Sequence, residues 1–188
     1  DSVHFGVKSA HGHAQPKQHG TIESDIAVLR NVQADTVISR NSGVIDQILL
    51  GQPTTIGIDA KHTLHDKYHA KTEDLRRELN GVRNNFNDGR LDQFFFVSNK
   101  QFDTTFKAEV TKTNLELVRD YIDRHNENIR AGGAEHLTSA EKSSMPAGEV
   151  IVESLGGLKE YNQGIKDFVS KYEIPQVEIC EHVKYVGT

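Results

Sequence analysis

One helical stripe lies between two strand-like segments in the middle of this chain, and that alternation constrains the fold most. Apolar residues recur at helical spacing from Leu75 to Phe86. Residues 54–63 before the stripe and residues 91–98 after it have the length and side-chain content of strands. The run Phe94-Phe95-Phe96-Val97 favours a strand that is buried on both faces. A strand, a helix and another strand in this order predict an α/β fold.

The remaining segments extend the α/β pattern along the chain. Their periodicity predicts further elements at residues 22–31 (helix), 34–40 and 44–50 (strands), 106–126 (helix), 149–153 (strand), 158–172 (helix) and 177–186 (strand). Residues 131–148 are rich in Gly, Ser and Ala and predict a loop. Together these elements predict a central mixed β-sheet flanked by helices.

The length of 188 residues suits one compact domain. Residues 1–20 lack apolar periodicity and predict an irregular N-terminal arm, which leaves residues 21–188 as the domain. The first residue is Asp1 rather than Met, so we expect a fragment, a processed product or a domain of a longer chain. No apolar stretch approaches the roughly 18 residues that cross a bilayer, and we expect no membrane anchor in this chain.

Two carboxylates and one lysine in neighbouring strand-like segments form the candidate site. Asp59 and Lys61 lie two residues apart and so share one face of a strand, while Ile58 and its apolar neighbours on the other face are expected to enter the core. If the turn at residues 51–53 pairs this strand with residues 44–50, Asp46 lies beside Asp59. Adjacent carboxylates repel each other, and a divalent cation would balance them. The alternative is a solvated Asp–Lys pair that contributes little stability.

Asp46, followed after a turn by Ile58-Asp59-Ala60-Lys61, resembles the motif of the PD-(D/E)xK nuclease superfamily, which includes restriction-endonuclease-like enzymes. Ile45 stands where the family pattern has proline. The predicted order of a helix, three strands, a helix and a strand over residues 21–98 is similar to the family core. The resemblance covers about half of the chain.

The resemblance implies a metal-dependent endonuclease that hydrolyses phosphodiester bonds in RNA, such as tRNA, or in DNA. Glu23, Asp46, Asp59 and Lys61 are its expected catalytic residues, and the three acids are its expected metal ligands. Asp25 is the alternative to Glu23. Mg²⁺ is the expected ion, with Mn²⁺ or Zn²⁺ as alternatives. The sequence leaves open whether Lys61 orients or deprotonates a water, or offsets charge on the phosphate.

Basic residues follow the motif, at positions Lys67, Lys71, Arg76, Arg77, Arg83 and Arg90. Lys67 and Lys71 are the expected phosphate contacts because they are nearest to Lys61 in the chain, and His62 is a further candidate for substrate binding. The alternative is an ordinary charged helix surface, since acids that include Glu78 are interleaved with these residues. The net charge of −5 argues against a nonspecific nucleic-acid coat protein but is compatible with a local basic face.

Two other functions fit the sequence. In a metal-independent ribonuclease, His11, His13 or His19 would act with Lys17 as general acid and base. A catalytically inactive binding module with a nuclease-like fold is the third possibility.

The absent initiator Met and the detachable arm resemble the C-terminal toxin domains of contact-dependent growth inhibition proteins. That resemblance implies secretion or cell-surface delivery, action in the cytoplasm of a target cell, and a cognate immunity protein as partner. Otherwise we expect a cytoplasmic protein.

Overall fold

The computed structural model describes residues 55–133 and 137–184 in full, and residues 2–5 and 36–39 by their backbone. The described elements, in chain order, are β1 (Ser2–Phe5), β2 (Thr36–Ser39), β3 (Thr55–Lys61), β4 (Lys67–Tyr68), α1 (Thr72–Asn87), β5 (Gln93–Ser98), β6 (Gln101–Phe102), α2 (Thr104–Arg130), α3 (Ser139–Ser143), a 3₁₀ helix (Val152–Leu155), α4 (Gln163–Lys171) and β7 (Val177–Cys180). None of the helices in this part of the chain is long and apolar enough to span a membrane.

The chain divides into two compact units. The first consists of residues 1–110 and 176–188, and the second of residues 111–175. The boundary falls within α2, after Val110. The second unit is therefore an insertion in the sequence of the first, ahead of β7.

The first unit is built on a five-stranded mixed sheet with the order β1-β2-β3-β5-β7. The pairs β1–β2 and β2–β3 are antiparallel, while β3–β5 and β5–β7 are parallel. The chain passes through α1 between β3 and β5, as a parallel connection requires. The prediction of an α/β fold with a mixed sheet flanked by helices is confirmed.

The core of the first unit combines the apolar stripe of α1 with aromatic rings of β5 and α2. Leu75, Leu79 and Val82 are buried on α1. The Phe96 ring meets the rings of Phe94 and Phe106 edge-on, at centroid distances of 5.1 and 5.0 Å. Such aromatic pairs add stability beyond the area that they bury.

The second unit has its own apolar cluster. Val118 and Ile122 of α2 pack with Ile165 and Phe168 of α4 and with Ile174. Helix α4 begins after Asn162, whose Oδ1 accepts a hydrogen bond from the backbone N–H of Ile165 at 3.0 Å.

Helical and strand periodicity located most elements of the described chain. The predictions at residues 34–40, 54–63 and 91–98 correspond to β2, β3 and β5, and the stripe ending at residue 86 corresponds to α1. Residues 2–5, which were assigned to an irregular arm, form strand β1 through pairing with β2. Four residues are too few for a periodic pattern to reveal a strand that depends on its partner.

Two predictions in the second unit were wrong. Residues 149–153 are not a strand, because the short apolar run there leads into the 3₁₀ helix Val152–Leu155. The following helix starts at Gln163 rather than at residue 158, because Asn162 has extended backbone and its side chain caps the helix at that point. The predicted loop at 131–148 contains the short helix α3.

The prediction of which β3 face enters the core was also wrong. Gly57 and Asp59 are buried, whereas Ile58 is half-buried and Ala60 is exposed. The register sets Gly57 beside Phe94 and Asp59 beside Phe96, both fully buried. Paired positions project to the same side of a sheet, so the carboxylate shares the face that carries the aromatic core.

Candidate functional site

Asp59 and Lys61 lie on one face of β3, at the carboxyl end of the strand. Lys61 is the last residue of β3, and Ser98, its register partner, is the last residue of the parallel strand β5. Side chains at the carboxyl ends of parallel strands commonly form ligand sites in α/β proteins, because the chain opens there into loops. The predicted neighbourhood of Asp59 and Lys61 is therefore observed at a position suited to binding.

A buried triad forms around the Lys61 ammonium group. Lys61 Nζ lies 2.7 Å from Asp59 Oδ2 and 3.2 and 3.4 Å from the two carboxylate oxygens of Glu78. The side chains of Asp59, Lys61 and Glu78 are only 2%, 12% and 11% exposed. This burial excludes the interpretation of a solvated surface pair, because the three groups interact away from bulk water.

The environment shifts the pKa of Asp59 and of Lys61. Burial, a hydrogen bond with Glu78 and the charge of Glu78 raise the pKa of Asp59 from 3.8 to about 7, although the Lys61 charge opposes this. Burial lowers the pKa of Lys61, but the charges of Asp59 and Glu78 outweigh it, and the net shift is upward. Near neutral pH the triad therefore contains a protonated lysine and an Asp59 carboxyl group that is partly protonated.

The alternative of an ordinary charged helix surface is wrong for Glu78, whose side chain is 11% exposed. Glu78 lies three residues after Leu75 and four before Val82, both buried, so it belongs to the apolar stripe of α1. An acid at a core-facing helical position is the signal that could have identified it. Such a residue needs a buried partner, and Lys61 is that partner.

The predicted substrate-binding residues follow Asp59 and Lys61 in the chain and are exposed. His62 comes directly after Lys61, Lys67 begins β4, and Lys71 occupies the N-cap position of α1. The start of this segment is tied to the loop after β5, because Asn99 accepts a hydrogen bond from the Thr63 N–H and donates one to the Thr63 carbonyl. The three side chains can be reached by a large ligand, and their role in binding stays a prediction.

Two of the predicted metal ligands, Glu23 and Asp46, lie outside the described residues, as do Asp25 and the histidines at positions 11, 13 and 19 with Lys17. The strand pairing from which Asp46 was placed beside Asp59 involves residues 44–50, which also lie outside the described residues. Strand β3 pairs with β2 through residues 55–58 and with β5 through residues 56–61. The role of Asp46 therefore stays a prediction.

Asp59 and Glu78, the described acids of the site, have carboxylate oxygens, which are the atoms that hard cations bind. Asp59 Oδ2 is buried and forms an ion pair with Lys61 Nζ at 2.7 Å. Carboxylate oxygens of this kind are ligands for Mg²⁺, which is often bound by one or two carboxylates with water and phosphate completing its shell. Within residues 55–133 and 137–184 no group of three or more His, Cys, Asp or Glu side chains is arranged to hold a metal ion. Asp59 fits as one ligand of a shell that needs others.

No protein-family model, curated protein or solved structure gives a significant match to this chain.

Proposed function

We propose that this chain is a metal-dependent nuclease with a restriction-endonuclease-like core that hydrolyses phosphodiester bonds in RNA or DNA. The observation that carries the proposal is the buried contact of 2.7 Å between Asp59 Oδ2 and Lys61 Nζ at the end of β3. In the nuclease motif, the D-x-K part places an acid and an ammonium group on one strand face, as Asp59 and Lys61 are placed here. The order of an antiparallel pair, a helix and a parallel strand (β2, β3, α1, β5) agrees with that core.

Asp59 is the described residue that would hold a divalent cation, together with the predicted ligands Asp46 and Glu23. Mg²⁺, when bound, polarises the phosphodiester and lowers the pKa of a coordinated water. The raised pKa of Asp59 implies that cation binding near neutral pH displaces a proton from this carboxyl group.

Lys61 acts in this proposal as a fixed positive charge. Because the acids beside it raise its pKa, the ammonium group stays protonated at neutral pH and cannot accept a proton from water. It can donate a hydrogen bond to a non-bridging phosphate oxygen and offset the negative charge that grows there. Of the roles that the sequence left open for Lys61, charge compensation has the best physical support.

The test is cleavage of plasmid DNA and total RNA by the purified protein with Mg²⁺ or Mn²⁺, followed on gels. We expect cleavage of one substrate by the parent, and none by Asp59→Asn or Lys61→Met. The matched control is Asp74→Asn, which makes the same chemical change at an exposed position of α1 where the acid pairs with Arg77. Circular dichroism confirms that each variant is folded.

Each outcome separates the candidate functions. Cleavage by folded Asp59→Asn at the parent rate would refute the assignment. Cleavage that persists in EDTA would instead favour the metal-independent ribonuclease built on the histidines of residues 11–19. A parent protein that binds nucleic acid without cutting it under any of these conditions would favour the inactive binding module.

The resemblance to toxin domains extends the proposal to the biological setting. A nuclease toxin expressed inside bacteria arrests their growth, so we expect induction of the parent chain to stop growth and induction of Asp59→Asn to permit it. Equal growth of the two strains at equal expression would contradict the toxin proposal while leaving the cleavage assay to decide the activity.

A further inference from the structure

Glu78 is the member of the triad to which the proposed function has given no role. It is contributed by α1 rather than by the sheet, and its side chain is 11% exposed. A carboxylate at such a position is costly to bury unless its partner is charged and close. Lys61 is that charged partner, and its ammonium group lies within 3.4 Å of both Glu78 carboxylate oxygens.

The contacts of Glu78 restrain the part of Lys61 that the proposed chemistry uses. A lysine ammonium group is carried on a flexible chain of four carbons and can take many positions. Here Nζ is 3.2 and 3.4 Å from Glu78 on one side and 2.7 Å from Asp59 on another. The Phe96 ring centroid lies 5.6 Å from the same nitrogen.

Resting on the proposed function, we propose that Glu78 is a positioning residue that fixes the Lys61 ammonium group beside Asp59 for contact with the scissile phosphate. Glu78 touches neither substrate nor cation in this proposal and acts through Lys61. Pre-organisation of a charged group removes a cost that would otherwise be met in the transition state. Loss of Glu78 should therefore reduce kcat and leave KM nearly unchanged.

Glu109 provides a matched control. Its carboxylate accepts hydrogen bonds from Arg76 Nε at 2.9 Å and Nη2 at 2.6 Å, and its side chain is 12% exposed. Glu109→Gln thus removes the charge of an acid that is as buried as Glu78 in the same unit, without touching the triad, although its partner Arg76 is 55% exposed. A purely structural role for Glu78 predicts that Glu78→Gln and Glu109→Gln behave alike.

The experiment measures kcat and KM for the parent, Glu78→Gln, Glu78→Asp and Glu109→Gln on the nucleic acid that the first assay identifies. We expect Glu78→Gln to lower kcat by about 10- to 100-fold, since misplacement by about 1 Å costs roughly that much. We expect KM to change by less than about twofold. Glu78→Asp keeps the charge and should recover part of the loss, and Glu109→Gln should retain the parent kcat.

A second readout is independent of activity. In metal-free protein, acylation of lysines by a water-soluble active ester is quantified by mass spectrometry. We expect Lys61 to react slowly in the parent and in Glu109→Gln, and several-fold faster in Glu78→Gln, because its ammonium group is released from one partner.

The results distinguish this inference from the proposed function on which it rests. Parent kcat in Glu78→Gln, with Asp59→Asn and Lys61→Met inactive, would overturn the role of Glu78 alone. Cleavage by those two variants would overturn the nuclease site itself. If Glu78→Gln does not fold, Glu78→Asp decides, because a kcat equal to that of the parent contradicts positioning and a lower kcat at constant KM supports it.

Discussion

At the scale of single residues, Asp59 shows how a fold changes the chemistry of a common side chain. An aspartate on an exposed strand would be ionised throughout the neutral range. In β3 it is buried beside Phe96 in the parallel register and beside Glu78 of α1, and its pKa rises to about 7. The protein therefore carries a proton at this site that an unfolded chain would release.

This shift predicts how stability depends on pH in the presence of a chelator. The folded state binds the Asp59 proton more tightly than the unfolded state, whose carboxyl group has the ordinary pKa of 3.8. The stability that this group contributes is complete below about pH 4 and is lost as the pH rises through about 7. The full change is on the order of 4 kcal/mol for one group shifted this far.

Urea unfolding of the parent and of Asp59→Asn between pH 4 and 8, in EDTA, measures this contribution. The variant should lose less stability than the parent as the pH rises across this window, because its amide does not titrate. Asp74→Asn is the control and should follow the parent curve. Identical pH profiles for the parent and Asp59→Asn would show that the carboxyl group is not held protonated by the fold.

Gly57 supports the site through packing against β5. A Cβ atom at this position would lie 2.6 Å from Phe94 Cδ2 and 3.0 Å from Phe94 Cε2. The missing side chain therefore lets the Phe94 ring lie against β3, two residues before Asp59.

We predict that Gly57→Ala lowers the free energy of unfolding by about 1–3 kcal/mol, since the added methyl group overpacks a fully buried ring. Urea denaturation measures the change. Gly148→Ala serves as control, because nothing lies within 4 Å of the Cβ position there. If the two variants lose the same stability, the Phe94 contact is not the cause.

At the scale of elements, the sequence predicted the helices and strands that have a regular apolar pattern. It did not predict the features that are set by contacts with other parts of the chain. The stripe of α1 and the aromatic run of β5 are long and regular enough to be read directly. The prediction of the β3 face that enters the core was wrong. It rested on the rule that apolar residues are buried, and this rule does not consider an acid and a lysine that form an ion pair inside the protein. The burial of Asp59 and Lys61 depends on packing against Phe94, Phe96 and α1, which lie elsewhere in the chain.

For the same reason, the sequence predicted the Asp59–Lys61 pair of the candidate site but not the contact of Glu78 with Lys61. Asp59 and Lys61 are two residues apart in one strand, so their common face follows from the local geometry of the backbone. Glu78 meets Lys61 across 17 positions of the chain, and only the packing of α1 on the sheet brings them together. Its place in an apolar stripe marked it as unusual without naming its partner.

Capping explains where α4 begins, and it gives a test of an element boundary. Asn162 Oδ1 accepts the Ile165 N–H at the first turn of α4, a bond that alanine cannot make. We predict that Asn162→Ala lowers the free energy of unfolding by about 0.5–2 kcal/mol.

Urea unfolding and hydrogen exchange of the α4 amides measure this effect. The control is Asn128→Ala, at an exposed position of α2 in the same unit. Exchange rates in the first turn of α4 that do not change in Asn162→Ala would contradict the capping role.

At the scale of the whole molecule, every described residue of the candidate site belongs to the first unit. Asp59, Lys61 and Glu78 fall within residues 1–110, as do the predicted contacts Lys67 and Lys71. The chain as a whole is acidic, with a net charge of −5. A polyanionic substrate would therefore have to be attracted by local charge, against the average field of the protein.

Salt dependence tests whether the exposed lysines provide that local charge. A lysine that contacts a phosphate releases a condensed counterion when the complex forms, so each contact adds to the slope of log Kd against log salt concentration. Binding is measured by fluorescence anisotropy in the Asp59→Asn background, where we expect no cleavage. Each of Lys67→Ala and Lys71→Ala should weaken binding for all substrate sequences and reduce the slope by about 1.

The control for these variants is Lys112→Ala, which removes one positive charge at an exposed position of the second unit. Its change in net charge equals that of the other two variants, so any effect of overall charge is matched. If all three variants reduce the slope equally, overall charge explains the binding, and Lys67 and Lys71 make no specific phosphate contacts. If only those two reduce it, the substrate follows β4 and the start of α1, the elements that come next in the chain after the Asp59–Lys61 pair.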